Sequence, residues 1–225
     1  MAKPFHVAFL GMGTSFMYTD GVLCYATEGG QLRLLDIKNS ADHELVIDVF
    51  RMLREHKETI PQFSEPEFSE HKLKPIHYGH GVLACELKLK NNDITRYLIV
   101  MKTRTPELLI FEEQPLHDKT LVNTTEKDLF LCHPVRGALW NYWGVRQFDL
   151  GTGQWVHSLP FFYTHAPRQD DGVATAIYED HFYVVSGREP LFRHGPIQTE
   201  DGPRPLIYRL ALRAPLAGLP ELPLQ

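Results

Sequence analysis

The chain has 225 residues, 43% of them hydrophobic and 23% charged, with 23 Lys and Arg against 28 Asp and Glu and a net charge of −5 at pH 7. Such a chain can bury a sizeable core as one large or two small domains, and it is neither disordered nor membrane-embedded in composition. The missing basic excess argues against a nucleic-acid binder, and three Cys (24, 85 and 132) cannot form a fully paired disulfide framework, which suits a reducing compartment.

The N-terminal apolar run is interrupted by His6 and ended by Gly11 and Gly13, so no signal peptide is expected. No stretch approaches the roughly 20 apolar residues of a membrane helix. The expected location is the cytoplasm or nucleus, with no membrane partner. Short alternating segments then follow one another. The first group is Phe5–Leu10, Gly21–Ala26, Gln31–Ile37 and Glu44–Val49, and the second Leu73–Tyr78, Val82–Leu89, Tyr97–Lys102 and Glu107–Glu112. The third is Thr120–Thr124, Asp128–Cys132, Val145–Leu150 and Gln154–Leu159; the fourth is Val173–Tyr178, His181–Ser186 and Leu206–Leu212. Period-two alternation rich in Val, Ile, Leu, Phe and Tyr, cut by Gly, Asn and Asp turns, reads as half-buried strands. Only Asp48–Lys57 reads as a helix, with Val49, Phe50 and Leu53 on one face, and it leads into an acidic loop over Pro61–Glu70.

The second strands align as Gly21–Cys24, Val82–Cys85, Leu129–Cys132 and Phe182–Val185, so the repeat is roughly 50 residues long. Four short strands in each repeat of that length are the signature of propeller blades, although a β-sandwich also has spaced strands. The expected fold is all-β and β-propeller-like, of the WD40 or kelch kind. It has about four blades of four antiparallel strands, the last incomplete, with one short helix inserted after the first blade. The blades run over 5–50, 71–116, 119–163 and 172–213 of a single domain, 1–213, followed by a Pro- and Leu-rich tail over 214–225. The three Cys read as core filler at one repeated position of one strand.

Catalytic chemistry has little to stand on. His77-Tyr-Gly-His80 is the tightest His pair, but its glycines mark a strand end and a turn. Gly11-Met-Gly13-Thr-Ser15 lacks the third Gly and the Lys-Ser/Thr of a phosphate loop and reads as a turn between strands. Glu112 and Glu113 are strand neighbours on opposite faces, so they cannot form the opposed pair of a glycosidase. Asp170-Asp171-Gly172 reads as a turn. No cofactor, metal or enzymatic activity is expected. The most unusual candidate is the run Leu139-Trp140-Asn-Tyr142-Trp143-Gly144, with Arg136 and Arg188 in comparable loops. Loops between propeller strands carry partner sites, and Trp, Tyr and Arg are enriched at binding hot spots. Trp140, Tyr142, Trp143, Arg136 and Arg188 are therefore the expected partner-binding residues.

The segments Pro4–Gly11, Phe16–Tyr25, Leu32–Ser40, Glu44–Val49, Tyr78–Cys85, Tyr97–Val100, Gly144–Leu150, Gly153–Trp155 and Asp180–Ser186 resemble the propeller region of fungal F-box proteins. The resemblance runs from about Pro4 to Leu212. It implies the substrate-recruiting part of an SCF ubiquitin-ligase subunit, which presents a target protein while an N-terminal F-box docks on the Skp1 adaptor. No Leu-Pro-led F-box helix precedes Phe5, so Skp1 is expected as a partner only of a longer form. A stand-alone propeller scaffold is the first alternative, and a propeller-type glycoside hydrolase the second.

Overall fold

The computed structural model describes residues 13–38, 44–56, 71–88, 96–114, 120–136, 141–164, 173–179, 181–186 and 206–211. The chain divides into two compact units, Met1–Asp118 with Leu150–Gly153, and Lys119–Asp149 with Gln154–Gln225. The structure is mostly β, in antiparallel sheets with one short helix among the described residues.

The first unit holds two four-stranded sheets. Sheet 1 is ordered β1 (Ser15–Thr19), β2 (Val22–Ala26), β3 (Gln31–Asp36), β4 (Glu44–Asp48), and sheet 2 is ordered β5 (Lys72–Gly79), β6 (Val82–Lys88), β7 (Arg96–Lys102), β8 (Glu107–Gln114). The helix α1 (Val49–Glu55) follows β4 directly. In the second unit, sheet 3 is ordered β12 (Gln154–Thr164), β11 (Asn141–Asp149), β10 (Asp128–Arg136), β9 (Leu121–Thr124). Sheet 4 is ordered β13 (Val173–Tyr178), β14 (His181–Ser186), β15 (Leu206–Ala211). These spans follow the four expected groups, with a displaced first strand at the start and longer β10, β11 and β12 in sheet 3. The first position of sheet 1 is taken by Ser15–Thr19, whereas the expected strand Phe5–Leu10, the acidic loop over 61–70 and the tail over 214–225 lie outside the described residues.

The displaced first strand has a local cause. Asp20 and Gly21 both take positive φ (49° and 88°) and join Thr19 to Val22 by a two-residue turn. An Asp-Gly pair between alternating segments is among the strongest hairpin signals, because both residues tolerate the left-handed region. His80-Gly81 repeats the geometry between β5 and β6, at φ of 51° and 75°. Glu179, at φ 44°, opens the β13–β14 turn. In sheet 3 the turn is made by a side chain instead: Thr125 Oγ1 accepts from the amides of Lys127 and Asp128.

Counting from each turn exposes a packing rule. The first, third and fifth residues of β2 (Val22, Cys24, Ala26) and the second, fourth and sixth of β6 (Leu83, Cys85, Leu87) line one core with Leu32, Leu34, Ile99 and Met101. In the second unit, the third and fifth residues after the turn in sheet 3 (Phe130, Cys132) meet the second and fourth of sheet 4 (Phe182, Val184). Both packed pairs of sheets thus meet through opposite pleat faces. The cysteines consequently do not repeat one position, as the alignment had expected. Cys24 and Cys85 differ by one place relative to their turns and line the same core. All three thiols are free and buried, and desolvation pushes those of Cys24 and Cys132 up to about 12. They behave as small apolar residues with little thiolate character.

Helix α1 closes the first core from one side. Asp48 caps it, accepting the Arg51 amide at 2.9 Å, and Val49, Phe50, Met52 and Leu53 are buried. The expected apolar face therefore gains Met52. At seven residues the helix has little stability of its own, and its buried face holds it.

His77 sits beside the register shift between Pro75 and His77 in β5. Desolvation lowers its pKa from 6.5 to about 4, outweighing the nearby Asp20, which raises it; His80 adds to the lowering. The unfolded chain therefore binds a proton between those two values that the folded chain excludes. Stability is complete above about pH 6.5 and is lost as pH falls toward 4, by on the order of 2–3 kcal/mol. Thermal unfolding of His77→Gln should show a shallower fall over that window than the parent. Parallel profiles would show that His77 does not carry the effect.

Candidate partner-binding site

Of the aromatic run expected in a loop, Asn141–Gly144 is strand. Register pairs Arg136 with Asn141, Val135 with Tyr142 and Pro134 with Trp143, so only 137–140 separate β10 from β11. Tyr142 and Trp143 are consecutive strand positions, which the two-residue period assigns to opposite faces of the sheet. Arg136 is the last residue of β10. Trp140 and Arg188 lie outside the described residues.

The strands of sheet 3 outrun their neighbour. β9 pairs only with Leu129–Cys132, whereas β10 continues to Arg136 and β12 to Thr164. Beyond β9 the sheet is a three-stranded extension, made of 133–136, 141–144 and 160–164. Two prolines sit in it where they are tolerated. Pro134 falls past the end of β9, where no strand among the described residues pairs on that side. Pro160 lies on the edge strand β12, opposite Gly144, at a register shift between Trp143 and Gly144. Such bulges re-aim the chain and recur at strand rims and near sites.

The extension gathers aromatic residues beyond those expected. Tyr142 is paired with Tyr163 and Trp143 with Phe162, and Phe161 is the residue skipped by the bulge. The expected strand ended at Leu159. Read as an edge strand that admits proline, Pro160-Phe-Phe-Tyr163 continues it, and that signal was present.

Side-chain contacts tie the strands together at the root of the extension. The Arg146 guanidinium lies 3.8 Å from the centre of the Trp155 ring, and Phe148 meets the same ring edge-on at 5.2 Å. Gln147 Nε2 donates to Asp128 Oδ1 at 3.0 Å, tying β11 to β10. At the foot of β9, Asn123 Nδ2 donates to Thr175 Oγ1 at 2.6 Å, joining sheet 3 to sheet 4. The aromatic positions of this three-stranded ribbon fall on both faces, Tyr142 with Tyr163 on one and Trp143 with Phe162 on the other, and Trp and Tyr are residue types enriched at binding hot spots.

Other sequence candidates lie on strands of the first unit. His77 and His80 lie at the end and turn of β5, and Glu112 and Glu113 are consecutive residues of β8. Among the described residues no three His, Cys, Asp or Glu are grouped so as to hold a metal ion, and no helix is long and apolar enough to cross a membrane.

No protein-family model matches the chain, and no curated protein matches it. Its similarities are to solved structures. The computationally designed Ika4 protein is 14% identical over 89% of this chain and 92% of that one, with a TM-score of 0.39. Apo AztD from Citrobacter koseri is 10% identical over 76% of this chain and 66% of that one, with a TM-score of 0.24. The designed Ika8 protein is 9% identical over 77% and 67%, with a TM-score of 0.25. Likenesses this distant decide neither fold nor function.

Proposed function

We propose that the chain is a β-propeller-like protein-recognition module of the cytoplasm or nucleus. In this reading it is the substrate-binding region of an F-box subunit of an SCF ubiquitin ligase. The observation that carries the recognition role is the aromatic three-stranded extension of sheet 3, built on Tyr142, Trp143, Phe161, Phe162 and Tyr163. The propeller reading draws on four successive antiparallel sheets and on a shared packing rule, with opposite pleat faces meeting in each unit. The ubiquitin connection draws on the sequence resemblance alone. Trp140, Arg136 and Arg188 are further proposed contact residues from the sequence alone.

The test is affinity capture of the protein tagged at its own locus, compared with a Tyr142→Ala/Trp143→Ala form. Recovery of Skp1 and a cullin with both forms, and of a target with the parent only, is the expected result. Each lost aromatic anchor should weaken the target by about 2 kcal/mol, roughly thirtyfold. Targets without Skp1 would indicate a scaffold unconnected with ubiquitin. An unchanged set of bound proteins would remove the extension from the site.

A further inference from the structure

Sheet 2 carries a feature that the recognition role does not use, at the turn between β7 and β8. Lys102 pairs with Glu107, so the hairpin closes over four residues, Thr103-Arg-Thr-Pro106. Thr103 is fixed and buried: its amide and its hydroxyl both donate to the Gly81 carbonyl, at 2.9 and 3.0 Å. The next four residues, from Arg104 to Glu107, are all exposed. Two threonines two positions apart therefore differ in chemistry. One hydroxyl is engaged inside the sheet, and the other stands on the surface of the hairpin tip.

Thr105 also precedes Pro106. The chain has 16 Pro, and Pro106 is the only one that follows a Ser or Thr. Proline disfavours helical backbone at the residue before it and so biases Thr105 toward the extended conformation in which enzymes and domains read short segments. Proline also lacks the N–H at the next position, so a recognition pocket there needs no acceptor. Cations lie close to the hydroxyl in the chain. Arg104 precedes it, with its Nε 3.9 Å from where a Cβ on Gly81 would stand, against the β5–β6 turn. Lys102 is ion-paired with Glu107 at 3.0 Å across the base of the hairpin. The tip thus holds two cations against one carboxylate. A phosphate, at about −2, finds both a guanidinium and an ammonium within reach of the turn and reverses the sign of its charge.

We infer that Thr105 is the acceptor of a proline-directed protein kinase that uses a nucleoside triphosphate. The Thr105 hydroxyl oxygen attacks the γ-phosphorus and forms the new O–P bond. The bond from that phosphorus to the β–γ bridging oxygen breaks, the nucleoside diphosphate leaves, and the hydroxyl proton passes to a carboxylate of the kinase. The site lies within sheet 2 of the first unit and stands independently of the recognition role.

The experiment incubates the full chain with a proline-directed kinase and γ-labelled adenosine triphosphate, and maps the phosphate by fragmentation mass spectrometry. One phosphate per chain on Thr105 is expected, with none on Thr105→Val. Pro106→Ala should slow incorporation roughly tenfold or more, because it returns an N–H that the enzyme's pocket leaves unpaired. Circular dichroism and thermal melting of both variants should match the parent, since both side chains are exposed. The same phosphate should be present on the protein isolated from growing cells under phosphatase inhibitors. Incorporation that persists in Thr105→Val, or absence of the phosphate from the cellular protein, overturns the proposal. So does a synthetic peptide over residues 99–111 that is phosphorylated while the folded chain is not, because the turn would then be covered.

Discussion

Gly30→Ala is expected to destabilise the protein by about 3 kcal/mol, combining the penalty of a left-handed alanine with an overpacked core. Gly30 lies in the turn between β2 and β3 at φ +75°, and its carbonyl accepts the Val49 amide at 3.3 Å as α1 begins. A Cβ there would overlap the Phe50 ring, which is itself buried against the first core. Either the helix shifts or the turn opens. Gly153→Ala is the control, because that residue has φ +70° but nothing within 4 Å of an added Cβ. It should lose only the backbone component, about 1 kcal/mol. Urea unfolding followed by circular dichroism distinguishes the two, and equal losses would show that the Phe50 contact is not responsible.

The second large effect is expected at Phe182. Its ring is 1% exposed and tilted at 31° to Phe130, with centroids 5.4 Å apart, at the junction of sheets 3 and 4. Phe182→Ala should cost about 3–5 kcal/mol, through lost transfer energy and the cavity left behind. Phe182→Leu keeps most of the volume and should cost less than half as much. All three Trp belong to the second unit, so intrinsic fluorescence follows its unfolding directly. A small effect of the alanine variant would mean that sheets 3 and 4 do not share this core.

Much of the strand layout was legible because the pattern is local. Period-two alternation in Leu32-Arg-Leu-Leu-Asp or Tyr97-Leu-Ile-Val, bounded by Gly, Asn and Asp, needs no knowledge of distant neighbours. The helix was legible for the same reason, from Asp48 as a cap and an apolar face at Val49, Phe50 and Leu53. Two local signals were underread. Asp20-Gly21 demands a hairpin and so places β1 at Ser15–Thr19. Strands β10 and β12 run on through Pro134 and Pro160, past the expected ends at Cys132 and Leu159, since a proline is tolerated wherever no neighbouring strand needs its N–H. The shorter expected strands left Tyr142 and Trp143 in a loop and Phe161, Phe162 and Tyr163 outside the candidate site.

Sequence by itself determined the mostly β class, the four successive groups of strands, the one helix among the described residues and the core character of the three cysteines. Each follows from composition, alternation or turn chemistry within a few residues. Tertiary structure alone decided which pleat face of each sheet is buried, since a two-residue period marks two faces but does not say which one a neighbour will cover. It therefore decided that Cys24 and Cys85 share one core, that sheet 3 extends past β9, and that Phe16, Tyr18 and Tyr178 remain in solvent. Those are consequences of which sheet packs on which, a long-range relation that alternation along one strand does not encode.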